Sequence, residues 1–519
     1  MFTRVRPVYL SKPGSSENSA VEVENASRSH RYLDGVRWTL VTNIAGSGFS
    51  FLSAIVIARL LDPAGYGTYR TITYLVGFCA AVAGFELRDA LRRFIPTCRV
   101  QKPEEADAAI LAACCIVGAF SLAIAVALGC FGDRVAVSLY KQPSLAGPLR
   151  WSGLLVAAVA GAAVMEAALT GLELYKTATM RSFITQSVAL PVQILLAYRF
   201  GVTGALWGFG ILLASRAFFL GGAVLHACGR GLMSPAVFRH LGGMCKVLMG
   251  FSLPLLVTAL LIPFANWWLS ARLAVTAGMH EVGTFAVAYG LIQLLTTIAL
   301  AAGVPLMPLL AQASASADHD TMVRMVSRGS RMITLLLFLP AFAVGANARA
   351  IILLLYGHRF AGAAPVLFML SLACLPLAIN EGLGRSLVAT GKIRFVVAGH
   401  LVWVIIILSA VEFYGRWHGA QGCAQSFIAA EMSQTIYLVL VFYVALRYKM
   451  HCTVKTFAIC SLAMIPAYYQ SSAALPLSLC LFVVTTPAVL AALWKWSLTE
   501  PDRAIISDWL INLRHQFAT

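Results

Sequence analysis

Fourteen apolar stretches follow one another along the chain, near residues 38-59, 70-87, 108-130, 151-172, 181-199, 204-226, 247-269, 283-311, 332-355, 363-389, 395-413, 419-445, 456-470 and 474-494. Most have the length of about twenty residues that a helix needs to cross the hydrocarbon core of a bilayer. Lipid offers the backbone no hydrogen-bond partner, so each segment must satisfy its own N–H and C=O groups as a helix. The alternating pattern of a membrane barrel is not seen. Overall, 59% of the residues are hydrophobic, 12% are charged and mean hydropathy is +0.80, whereas soluble domains carry roughly 25% charged residues. The expected fold is all-α: a polytopic membrane protein with about 14 transmembrane helices.

A net charge of +17 would suggest nucleic acid in a soluble protein, but in a membrane protein Lys and Arg collect in cytoplasmic loops. The expected partners therefore include membrane lipids and no nucleic acid. The N-terminal tail and the loops after the even-numbered segments hold 27 Lys and Arg residues against 9 on the other side, which predicts that both termini are cytoplasmic. Residues 1-37 lack the apolar core and cleavage site of a signal peptide and read as a cytoplasmic polar tail. The twelve cysteines lie mostly inside apolar runs, with no CxxC pair and no zinc-like spacing, so no metal is expected. Between segments 1 and 2, Asp62-Pro63-Ala64-Gly65 has the composition of a type I β-turn. Arg59 and Arg70 would bracket that turn at the outer edge as anchors.

The chain repeats itself. Gly67-Thr68-Tyr69 returns as Gly283-Thr284-Phe285 at an offset of 216, "ALTG" ending at Gly171 returns as "VATG" ending at Gly391 at 220, and "GALWG" from Gly204 returns as "GAQG" from Gly419 at 215. Six segments per copy is an even number, so the copies run parallel about an axis along the membrane normal. This divides the chain into the tail (1-37), an N-lobe (38-226), a cytoplasmic linker (227-246), a C-lobe (247-446), and two extra C-terminal helices with a cytoplasmic tail (447-519). Two parallel six-helix lobes around a midplane cavity is transporter architecture.

"ARLLDPAGYGTY", "FELRDALRRFIP", "PLMPLLAQASA" and "LYGHRFAGAAPVLFMLSLACLPLAINEGLGRSLVATGK" resemble the polysaccharide-transporter flippases of the MOP superfamily, across roughly segments 1 to 12. The resemblance implies an alternating-access flippase in the bacterial inner membrane. Its substrate would be an undecaprenyl-diphosphate-linked oligosaccharide repeat unit for O-antigen, capsule or exopolysaccharide. Polysaccharide polymerase and chain-length proteins would be partners. The alternatives are a MATE-like cation or drug antiporter, a peptidoglycan-precursor flippase, or, from another class, a membrane polysaccharide polymerase or ligase. The last would be expected to present a large external catalytic loop, and the outer loops here are short. No catalytic residue and no cofactor are expected; the GxxxxGK[ST] phosphate loop does not occur, so ATP would not act through this chain.

Charges inside membrane helices face a cavity or pair with one another. Those found are Glu166, Arg216, Glu381, Arg385 and Glu431. By the offset of 215, Arg216 and Glu431 would occupy equivalent positions with opposite sign. In one reading Arg216 and Arg385 hold the diphosphate, since guanidinium offers a permanent charge and a bidentate fork, while Glu166, Glu381 and Glu431 serve gating or ion coupling. In the other, Glu166 pairs with Arg216 and Glu381 with Arg385, stabilising each lobe only. Arg88 and Arg92, after segment 2, would form a basic mouth for the lipid diphosphate or a positive-inside anchor. Asp318-His319-Asp320 reads as a solvated loop, not a metal-holding motif.

Overall fold

The computed structural model describes residues 38, 46–302, 319–447, 451–471, 475–498, 500 and 503. The N-terminal tail, Asp318, residues 303–318 at the end of the eighth apolar stretch, and the C-terminal tail from 504 lie outside them. Among the described residues every regular element is a helix and none is a strand. In chain order they are α1 Gly46–Leu60, α2 Pro63–Gly84, α3 Leu87–Gln101, α4 Pro103–Ser138, α5 Ala146–Gly171, α6 Tyr175–Cys228, α7 Pro235–Thr276 and α8 Met279–Ala302. There follow α9 His319–Ala346, α10 Ala348–Tyr356, α11 Ala363–Ala389, α12 Ile393–Ala410, α13 Arg416–Leu440, α14 His451–Ser471 and α15 Leu475–Ala492. Among these residues, nine helical stretches are long and apolar enough to cross a membrane. The chain is a multi-pass membrane protein.

The Asp62 stretch is a helix start, not a β-turn. Asp62 is extended (φ −73°, ψ 171°) and its side chain accepts from the Gly65 N–H at 2.7 Å, while Pro63 fills the first helical position. An N-cap and a type I turn use the same Asp-Pro chemistry over these residues, so the composition alone does not separate them. The consequence is positional: α2 begins at Pro63 rather than near 70, and Arg70 lies two turns inside it.

Among the described residues the longest helix is too long for one crossing. Tyr175–Cys228 has 54 residues, about 80 Å at 1.5 Å per residue, against a hydrocarbon core of roughly 30 Å. It breaks at Gly201 (φ 58°, ψ −134°), and α13 breaks at Gly419 (φ 57°, ψ −129°). That backbone conformation is nearly confined to glycine. Gly201 and Gly419 are 218 residues apart, and so are the left-handed residues Glu173 and Gly391 that follow α5 and α11. Both of those helices end alike: the Leu174 N–H donates to the Leu169 carbonyl and the Lys392 N–H to the Leu387 carbonyl. The repeat therefore runs at 218 in this region, not 220 or 215, because conformation and not the letter Gly marks the equivalent position. The counterpart of Arg216 is then Gln434, and the counterpart of Glu431 is Leu213.

Near the Asp62 end of the bundle, α2 and α8 meet backbone to backbone. A Cβ on Gly67 would overlap the Met279 carbonyl oxygen, and one on Gly283 would overlap the Pro63 carbonyl oxygen. The reciprocity of the two contacts is that of a pseudo-two-fold axis between the repeats. α2 also packs on α5 and α7, α4 packs on α5 and α7, and α11 packs between α9 and α13. Gly67→Val or Gly283→Val should separate α2 from α8 and cost about 1–3 kcal/mol or more. Thermal melts of the detergent-purified protein should show a fall in Tm that a neighbouring Gly77→Ala change, in open space, does not produce.

Candidate functional site

Two cavities with charged side chains in their walls lie in different parts of the bundle. The first, of about 410 Å3, is bounded by α1, α2, α5 and α6 and is lined by Ser53, Tyr69, Arg70, Glu166, Gln193 and Arg216, among others. Arg216 donates from Nη2 to Glu166 Oε2 at 2.7 Å and from Nε to Ser182 Oγ at 3.3 Å. Gln193 is buried: its Oε1 accepts from Ser53 Oγ at 3.0 Å, and its Nε2 donates to Tyr69 Oη and to the Ala205 carbonyl, both at 3.4 Å. These polar groups answer one another across four helices, as a low-dielectric site demands.

Arg70 stands apart. Its guanidinium lies 4.5 Å from the centre of the Tyr74 ring and donates to Tyr74 Oη at 2.8 Å. Among the described residues it makes no ion pair, and its Nε is without a hydrogen-bond partner. It lines the first cavity and also an adjoining one of about 170 Å3, whose far wall is Gln293 and Thr297 of α8 and Tyr356 at the end of α10. Arg70 thus sits where the two repeats face one another. A permanent charge held in this way is the strongest anion-binding feature in the neighbourhood.

The second cavity, of about 300 Å3, is lined by Glu381 and Arg385 of α11, His400 and Trp403 of α12, and Glu431 and Gln434 of α13. Arg385 Nε lies 3.5 Å from Glu381 Oε2, one helical turn away. Glu431, 5% exposed, accepts from Trp403 Nε1 and from Asn380 Nδ2, each at 2.9 Å.

The sequence-read charges are therefore distributed as follows. Both expected pairs form, Glu166 with Arg216 and Glu381 with Arg385, but Arg216 and Arg385 line separate cavities and do not share one. Arg88 and Arg92 are about half exposed on α3; Arg88 reaches toward Glu86 at 3.8 Å, and Arg92 toward Asp89 at 3.6 Å and Thr170 Oγ1 at 3.4 Å. Arg59 is an anchor, donating to the Leu354 and Leu355 carbonyls at the C-terminal end of α10. Arg70, read from the sequence as its companion, is not. Reading Asp62-Pro63 as a helix cap would have placed it correctly. Asn380 and Trp403 carried no charge to draw attention, although polar groups in apolar helices are themselves a signal.

The comparisons agree with this architecture. Residues 32–314 match the profile of a family described as polysaccharide biosynthesis protein. Over 410 residues the chain is 25% identical to the succinoglycan biosynthesis transport protein ExoT of Rhizobium meliloti (strain 1021), covering 73% of this chain and 78% of that protein. The solved structure of the lipid II flippase MurJ, in an inward closed conformation, superposes with a TM-score of 0.71 at 12% identity, covering 89% of this chain and 99% of that one. An inward-facing multidrug resistance MATE family transporter of the MOP superfamily gives 0.62 at 14% identity, covering 79% and 95%. At such identities the two structures speak for the fold.

If Glu166 and Arg216 act as a pair, each single change to an uncharged residue leaves a charge without its partner, which costs more than removing both. Glu166→Gln and Arg216→Gln should each lower Tm by more than the double variant does, as a thermal double-mutant cycle would show.

Proposed function

We propose that this chain, which belongs to the polysaccharide biosynthesis protein family, is a flippase for lipid-linked oligosaccharide repeat units, undecaprenyl-diphosphate being the expected carrier. It would sit in the bacterial inner membrane with both termini cytoplasmic, as the Lys and Arg distribution favours. The observation that carries the reading is Arg70: a guanidinium with no acidic partner among the described residues, facing two adjoining cavities, one within the first repeat and one between the repeats. Its fork suits the oxygens of a diphosphate. Arg216 stands in the same cavity with its charge answered by Glu166, so the lining carries one uncompensated positive charge. That charge would repel a cationic drug and attract an anionic headgroup.

In this reading residues 38-226 and 247-446 are two lobes, and the contact of α2 with α8 is the seam that parts when they rock. The Asp62 end, closed by that contact and by Arg59 on α10, is periplasmic. The headgroup enters from the cytoplasmic end, where Arg88 and Arg92 are exposed on α3 and draw anionic lipid toward the mouth. The glycan follows the diphosphate through the space between the lobes, and polymerase and chain-length proteins take it up on the far side. No step requires a bond to be made or broken, so the protein is assigned a transport role and no catalytic group.

A depletion strain should accumulate lipid-linked repeat units on the cytoplasmic leaflet and lose surface polysaccharide; an unchanged lipid distribution with normal surface polysaccharide would refute the assignment. Arg70→Ala should abolish surface polysaccharide at normal membrane abundance. Arg70→Lys should restore only part of it, since the charge returns without the fork. Arg216→Ala should also reduce translocation, and if that loss followed protein abundance alone, the arginine would belong to the lobe's structure.

A further inference from the structure

Glu431 is a buried carboxylate that the diphosphate site does not use. It bridges three helices, since Trp403 on α12 donates to its Oε1 and Asn380 on α11 to its Oε2. No ion pair reaches it among the described residues; the guanidinium in its cavity, Arg385, faces Glu381. The ionisable groups around it are Glu381, Arg385 and Cys374 of α11, His400 of α12 and Tyr289 of α8, while α7 contributes only Ile262 to the cavity lining. Apart from His400, two carboxylates meet one guanidinium in this cavity. A carboxylate held in apolar surroundings without a counter-ion is costly, and two N–H donors offset only part of that cost. The missing positive charge must come from solution.

The geometry selects a proton over a metal cation. A hard metal cation needs several oxygen ligands turned toward one point, but here both carboxylate oxygens already accept N–H groups. The Asn380 amide presents its nitrogen to Glu431, and its oxygen accepts from the Thr435 hydroxyl at 2.8 Å. A proton needs one lone pair on one oxygen, which remains free.

We propose that Glu431 is the proton-binding group through which a proton gradient drives the movement of the lobes. This rests on the transporter reading above but not on the identity of the cargo. The step is a simple one: hydronium in the cavity gives its proton to the carboxylate, leaving a carboxylic acid and water, and the reverse occurs once the cavity faces the other side. Charge-assisted hydrogen bonds are roughly twice as strong as neutral ones, so protonation weakens the ties from α13 to α11 and α12. α12 packs on α7, and α7 packs on α2 and α4 of the first repeat. A row of contacts follows the same course: Trp403 lies edge-on to Phe427 at 5.8 Å, Phe427 meets Tyr289 at 5.6 Å, and Tyr289 Oη donates to Asn266 of α7 at 3.1 Å.

The test uses the full-length protein in lipid nanodiscs, without glycan. Acidification followed by infrared difference spectroscopy should reveal a protonated-carboxyl carbonyl band that is lost in Glu431→Gln and kept in Glu381→Gln and Glu166→Gln. Trp403→Phe should move the band to higher frequency, because the acid carbonyl loses a hydrogen bond, and this variant serves if Glu431→Gln does not fold. Spin labels at Leu60 and Leu354, both exposed and on opposite repeats, should change separation on acidification in the parent protein and not in Glu431→Gln. A band that survives Glu431→Gln, a band removed by sodium at constant pH, or label distances indifferent to pH would overturn the proposal. If the cargo proves not to be a glycan, these results stand unchanged.

Discussion

Lipid supplies neither hydrogen bonds nor counter-charges, so every polar atom placed in a spanning helix has to be answered from within the protein. The structure is organised by how it meets that demand. Glu166 answers Arg216 across two helices, and Trp403 and Asn380 answer Glu431 across three. Arg59 answers carbonyls that α10 leaves open at its end. The same demand is met at one of the two glycine breaks. Where α13 interrupts itself at Gly419, the freed N–H of Ala420 donates to the Glu281 carboxylate at 2.8 Å. An interruption in the hydrogen-bond ladder is tolerated because a side chain from α8 closes it.

Much of this was legible in the sequence, and for a physical reason. Bilayer thickness imposes a length, and length is a property that a string of residues displays directly; the stretch read as 363-389 is the helix Ala363–Ala389. The Gly67 and Gly283 repeat was also visible, because backbone contact between helices excludes any other side chain. What stayed hidden depended on conformation. Asp62-Pro63 fits a turn and a cap equally well, and only the backbone after it decides which, so Arg70 was displaced from the cavity to the rim. The repeat register slipped by two or three residues because Glu173 and Gly391 share a left-handed backbone without sharing a letter.

The two cavities divide the electrostatic labour. The one in the first repeat carries one cation more than it has acids (Arg70 and Arg216 against Glu166), and the one inside the second repeat carries one acid more than it has guanidinium groups (Glu381 and Glu431 against Arg385). Placed in water, neither would matter much; in a low-dielectric bundle each is a standing deficit that a solute of the opposite sign relieves. On the proposed reading an anionic headgroup relieves the first and a proton the second. The helices linking them, α7 and α12, carry few charges in their apolar middles, so the two sites can influence one another only through packing.

The Gly67 and Gly283 contact also sets the energetics of opening. A seam built from large side chains would bury several hundred Å2 of apolar surface, at roughly 25 cal/mol per Å2, and parting it would be slow. At the crossing itself two glycines bring carbonyl oxygens and Cα atoms together with no side chain between them. Such a crossing excludes water by closeness and adds little apolar burial of its own. A gate of this kind can be watertight while its open and closed forms remain nearly equal in free energy, which is the condition under which one small ion can decide between them.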